Sequence, residues 1–228
     1  MAKLTSKAVL ILSTLMLTAW GTQATQAADP LLGSSFQQWC LQKANLSPAA
    51  RKTVDVLLEK AGTTDCELAN NELVSLTELD LSNKEIRDVT PLATLTNLRL
   101  LDLSTNTIKD ASSLVQLINL EFLNIGDNQI TDINSLTKLT NLEELYLFGN
   151  QIIDFSPLAK LTNLEKLGLT NNQITNITFL AGLTNLEELG LGLNEITNLT
   201  PYSQTNKFRI PQSQSQSDHR CHPSNRTY

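Results

Sequence analysis

The chain has 228 residues, 41% of them hydrophobic and 18% charged, which suits one or two domains with a buried core. The net charge is −6, but Lys3 and Lys7 precede an apolar run, and positions 201–228 add Lys207, Arg209, Arg220 and Arg226 against Asp218 alone, so the body between stands near −11. An acidic body repels phosphate, which argues against nucleic acid and anionic membrane surfaces as partners.

Residues 1–28 read as a signal peptide: Lys3 and Lys7, an apolar run from Ala8 to Leu17, then small residues at Ala24, Ala27 and Ala28. That run is shorter than the ~18 apolar residues a membrane span needs. No cysteine ends it where a lipoprotein would carry one, and no other segment is apolar enough to span. The mature protein is therefore expected to be secreted or periplasmic, with no stable membrane insertion after cleavage.

Residues 29–72 share no internal pattern. Ser47 and Pro48 signal a helix start, Val54, Leu57 and Leu58 form its apolar stripe, and Gly62 supplies the stop, so one helix is predicted here. Export exposes the chain to oxidation, and Cys40 and Cys66 flank that helix. They are expected to form a disulfide, with Cys221 left over. Closing such a loop is worth about 3 kcal/mol in the chain-entropy picture.

From Leu73 to about Thr200 the sequence repeats. Leu73, Leu95, Leu117, Leu139, Leu161 and Leu183 recur at a constant 22-residue spacing and open the same phrase, which in the fourth unit runs LTNLEELYLFGNQIIDFSPLAK. Six units in fixed register are not chance. The pair Leu145 and Leu147 alternates as a short strand with one face inward. One unit cannot bury its own leucines, so neighbouring units must stack. Asn106, Asn128, Asn150, Asn172 and Asn194 share the position where the chain leaves the strand, and a buried amide there can bond backbone groups that the turn leaves unpaired. Lys84 takes this place in the first unit, its stem packing and its ammonium reaching water. The nineteenth position carries Pro91, Pro157 and Pro201, elsewhere Ser113, Ser135 and Phe179. So short a coil leaves little room for an outer helix, and extended or short 3₁₀ segments are predicted there.

This L-x-x-L-x-L-x-x-N-x-I phrase is the leucine-rich-repeat signature, and the 22-residue length with its LTNL opening resembles the internalin type found in secreted bacterial proteins. The resemblance implies an α/β solenoid with a parallel concave sheet and an extended or 3₁₀ convex side. The helical segment before the repeats then serves as the N-terminal cap. Internalins bind host surface proteins through the concave face. Adhesion to a host is not carried over, because no wall-sorting motif follows the repeats in this sequence and the cap is unlike an internalin cap.

Residues 201–228 break the pattern and contain no leucine, both histidines and Cys221. Back-translated with legal codons and read one nucleotide forward, they give PIPKLTNLESLSLSLNQITDVTPLTELT. That is a further repeat, its LTNL falling one repeat length after Leu183 and its Asn one repeat length after Asn194. The tail is expected to be a frameshifted remnant of a seventh unit, which leaves the leucines of the sixth, Leu183, Leu186, Leu189 and Leu191, partly exposed.

Residues 29–200 hold no histidine, Gly-rich phosphate loop, metal-ligand spacing or nucleophile and base pair, so no catalytic set, metal or cofactor is expected. Asp80 and Asp102 occupy one outward position on adjacent strands with Glu78 nearby, about 5 Å apart, and paired carboxylates can share a proton or a cation. A solvated acidic patch is the simpler reading. Leu100, Phe122, Tyr146 and Phe148 fall at outward positions of three successive coils, where a solvated face would be polar. Gly126, Gly168, Gly190 and Gly192 in the same rows suggest a smooth floor. The expected partner is another protein or peptide bound on the concave sheet. The alternatives are a carbohydrate or cell-wall ligand held by the same aromatics with Asp80 and Asp102, or a non-functional truncated product.

Overall fold

The computed structural model describes residues 35–198. The expected signal peptide, the first residues of the cap segment and the 201–228 tail lie outside the described residues.

The cap segment holds three helices rather than one. Helix α1 spans Phe36–Leu41, with the Ser35 side chain accepting from the Gln38 N–H. Helix α2, Pro48–Ala61, is the predicted one: Ser47 accepts from the Ala50 N–H, proline stands at the start, and Gly62 ends it in the left-handed region at φ 68°. Helix α3, Cys66–Ser75, starts from Asp65, whose carboxylate accepts from the N–H groups of Glu67 and Leu68. The first unit's Leu73 is thus helical, buried on α3 instead of turning a coil corner. A 3₁₀ turn at Lys43–Asn45 joins α1 to α2.

Phe36, Trp39, Ala50, Val54, Leu57, Ala69 and Leu73 are buried and continuous with the repeat core. Cys40 and Cys66 are joined by a disulfide, Cα atoms 5.5 Å apart, which ties α1 to α3. Thr53 on α2 donates its hydroxyl to the Asp88 carbonyl at 2.6 Å, anchoring the cap to the first coil.

Six three-residue strands follow: β1 Glu78–Asp80, β2 Leu100–Asp102, β3 Phe122–Asn124, β4 Glu144–Tyr146, β5 Lys166–Gly168 and β6 Glu188–Gly190. They form one parallel sheet in sequence order. The register advances by one repeat per strand, placing Leu79, Leu101, Leu123, Leu145, Leu167 and Leu189 in a single inward column. Opposite the sheet, the first five coils return through a 3₁₀ turn: Thr90–Thr94, Ser112–Gln116, Asn134–Lys138, Ser156–Lys160 and Thr178–Gly182. The carboxylates of Asp88, Asp110, Asp132 and Asp154 and the amide oxygen of Asn176 accept the N–H two residues on, which starts each turn. The fold is an α/β solenoid, a parallel sheet on one side and 3₁₀ turns on the other, with a helical N-terminal region.

Candidate functional site

The asparagine at the strand exit is a structural group. Asn128 donates its amide to the carbonyls of Leu103, Ile125 and Gly126 and accepts from the Ile108 N–H. Asn106 and Asn150 repeat that pattern, and the amides of Asn172 and Asn194 likewise donate to the preceding coil. In the first coil Lys84 places its ammonium 3.6 Å from Glu59, toward the cap.

A second ladder was not read from the sequence. The asparagine of each LTNL-type phrase donates to the preceding coil: Asn97 to Val74 O, Asn119 to Thr96 O, Asn141 to Ile118 O, Asn163 to Thr140 O and Asn185 to Thr162 O, all at 2.7–3.1 Å. Its signal was the repeat recurrence itself.

The outward residues of the sheet form two rows. One runs Glu78, Leu100, Phe122, Glu144, Lys166, Glu188, and the other Asp80, Asp102, Asn124, Tyr146, Gly168, Gly190. Leu100 and Phe122 are therefore direct neighbours, while Tyr146 stands opposite Asn124. Its ring still meets Phe122, centroids 5.6 Å apart and tilted 47°, a favourable aromatic geometry. Phe148 lies two residues further along its coil. Its ring occupies the space over Gly126, where a Cβ would come within 2.4 Å of it. A Cβ on Gly168 would likewise sit 2.7 Å from Tyr146 Cδ1. These two glycines are sockets for the rings, which corrects the reading of them as open floor. Leu100, Phe122, Tyr146 and Phe148 all remain half-buried.

Glu144 and Lys166, which sequence reasoning did not single out, fix the tyrosine. The Tyr146 hydroxyl donates to Glu144 Oε2 at 3.1 Å, and Lys166 Nζ donates to Glu144 Oε1 at 2.8 Å. Burial, then the adjacent Glu144 carboxylate, push the Tyr146 phenol up to about 12. It stays a neutral donor at any ordinary pH.

Asp80 and Asp102 are paired in register but are engaged locally. Asp102 Oδ1 accepts from the Ser104 N–H and hydroxyl, and Oδ2 accepts from Asn124. Asp80 accepts from the Ser82 N–H at 2.8 Å, and the backbone and side chain of Ser82 hold its carboxyl below the usual range. These contacts make both residues turn-forming groups, and no interaction shown joins the two carboxylates. Among the described residues no three His, Cys, Asp or Glu side chains cluster as a metal site would require, and no helix is long and apolar enough to cross a membrane.

Comparison with known proteins places this architecture. Residues 68–116, 118–160 and 162–204 each match the family described as Leucine Rich repeats (2 copies). Among solved structures, an internalin (inlF) from Listeria monocytogenes is 35% identical, covering 62% of this chain and 48% of its own, with a TM-score of 0.53. An internalin C2 (inlC2) from the same species is 27% identical over 67% of this chain and 88% of its own, with a TM-score of 0.50. A leucine-rich-repeat protein of Leptospira interrogans is 29% identical over 60% of this chain and 36% of its own, with a TM-score of 0.54. The match thus spans about half the length of the first of these structures and less of the last. A search of curated proteins finds no match. Repeats of this kind are generally non-enzymatic scaffolds for binding other proteins. The chain belongs to the leucine-rich-repeat family, with internalin-like repeats.

Proposed function

We propose that this is an exported binding module that holds another protein or peptide on the concave sheet. The observation that carries the reading is the ring pair Phe122 and Tyr146, half-buried on β3 and β4 near the centre of the sheet. Its surroundings are set before any partner arrives: Tyr146 is held by Glu144 and the Gly168 socket, and the neighbouring Phe148 by Gly126. Rigid rings present large contact area at low entropic cost, the pattern of binding hot spots. Export rests on the leader-like residues 1–28, and the proposed organisation stays a leader, a cap over 29–72, repeats over 73–200 and a frameshifted tail over 201–228.

The test is photo-cross-linking. Benzoylphenylalanine in place of Leu100, on the sheet, is expected to capture a protein from the producing organism's surroundings. The same group in place of Ile153, exposed and off the sheet, is not. Phe122→Ala with Tyr146→Ala should cut the first signal at least about tenfold. Equal capture from both positions would sink the concave-face reading, and capture of glycans alone would replace the protein partner with a carbohydrate.

A further inference from the structure

The edge of the proposed binding face where the coils enter the sheet has an unbalanced charge pattern. Glu121, Glu143, Glu165 and Glu187 stand at one repeat position, where each coil runs into its strand, and the backbone N–H groups of the last three donate to the glutamate carbonyl one coil earlier. Neighbouring strands lie about 4.8 Å apart, so these carboxylates form a column of like charges on successive rungs. Like charges directly opposite one another destabilise a sheet, so the column gives the fold nothing by itself.

The cations nearby are already committed. Arg99 bonds Glu121, and Lys166 bonds Glu144. Glu143, Glu165, Glu187 and Glu188 are exposed and form no ion pair among the described residues. Glu165 and Glu187 also line an open, mainly polar depression with Asn185 and Leu186. Two exposed carboxylates on neighbouring coils at such a depression suit a long cationic side chain, its charge held between the glutamates. Tyr146 lies one coil and Phe122 two coils before Glu165, and the faces of these rings attract cations as well.

We infer that the partner is a basic protein segment, carrying lysine or arginine residues beside an apolar anchor, which seats the anchor on Phe122 and Tyr146 and its cations along Glu143, Glu165 and Glu187. This rests on the concave-face reading and goes beyond it by fixing the partner's chemistry through charge complementarity.

A random-peptide display library selected against the full chain tests it, with three proteins as bait: the wild type, a Glu143→Gln, Glu165→Gln, Glu187→Gln variant, and a Phe122→Ala, Tyr146→Ala variant. The expected result is enrichment of peptides with net positive charge and an aromatic or leucine residue. The strongest of these, synthesised, should bind at least about tenfold more weakly to either variant and lose affinity as salt is raised. The glutamine variant should melt no lower than wild type, since the substitution relieves repulsion, so weak binding there would not report a damaged fold. Neutral or acidic peptides that still depend on the two rings would overturn the basic partner and leave the concave face standing. No enrichment, or peptides indifferent to the rings, would overturn both.

Discussion

Asn128 shows how one side chain governs a coil. It is buried, donates to three carbonyls of two coils and accepts from a fourth backbone group, so truncation leaves several buried polar groups unpaired at once. Asn128→Ala is expected to lower stability by about 2–4 kcal/mol in urea unfolding, whereas Asn119→Ala, which removes one exposed bond to Thr96 O, should cost under about 1 kcal/mol. Similar losses at both sites would contradict this division between ladders. The opposite change is available just beyond β6. The eleventh position of every unit is left-handed, with φ from 50° to 63° at Asn83, Thr105, Asp127, Gly149, Asn171 and Leu193. Leucine is a poor occupant of that region, and Leu193 is also exposed. Leu193→Asn is expected to raise stability by about 1 kcal/mol, read as a higher urea midpoint with unchanged slope. Tyr146 adds a pH effect. Its phenol ionises later in the folded chain than in the unfolded one, so its contribution is complete below about pH 10 and is lost as pH rises toward about 12. Phenolate absorbance of wild type minus Tyr146→Phe should show that late step, and a midpoint near 10 would contradict it.

Among the elements, legibility followed periodicity. The strands, the 3₁₀ turns and the inner asparagine ladder recur once per coil, so their side-chain columns could be written down from spacing alone. Helices α1 and α3 could not. Helix α1 has six residues, too short for an apolar stripe to stand out, and Leu73 near the end of α3 imitates the start of the first repeat. The proposed binding face was half legible. The columns of Leu100, Phe122, Tyr146 and Phe148 came from the sequence, but not the sockets at Gly126 and Gly168, because a column says nothing about which way a ring leans. Gly126→Ala tests the socket: it is expected to displace Phe148 and weaken partner binding while α2 and the sheet stay intact by circular dichroism. The cap depends on a staple that joins elements 26 residues apart. Reduction, or Cys40→Ala with Cys66→Ala, should lower stability by about 3 kcal/mol and loosen α1 before any coil.

At the scale of the whole molecule, a solenoid is stabilised coil by coil, each term coming from the coil itself and its two neighbours. The described N-terminal end is closed by α1 to α3, whereas Leu189 and Leu191 of the sixth coil are half-buried where their counterparts Leu145 and Leu147 in the fourth are fully buried. Leu183 and Leu186, also expected to be partly exposed, are instead buried. Hydrogen exchange is therefore expected to be fastest in β6 and slowest in β2 to β4. The shifted reading of residues 201–228 gives this gradient a direct test. A chain carrying PIPKLTNLESLSLSLNQITDVTPLTELT in place of that segment would lay a seventh strand on β6 and extend both asparagine ladders by one rung. Burying Leu189 and Leu191 and pairing the edge of β6 should raise the unfolding midpoint and its denaturant slope together, because more surface is then hidden in the native state. Slower exchange in β6 alone, with the cap unaffected, would mark the gain as a neighbour term. If the longer chain unfolds at the same midpoint with β6 still the fastest to exchange, the shifted sequence does not form a coil, and the frameshift reading fails with it.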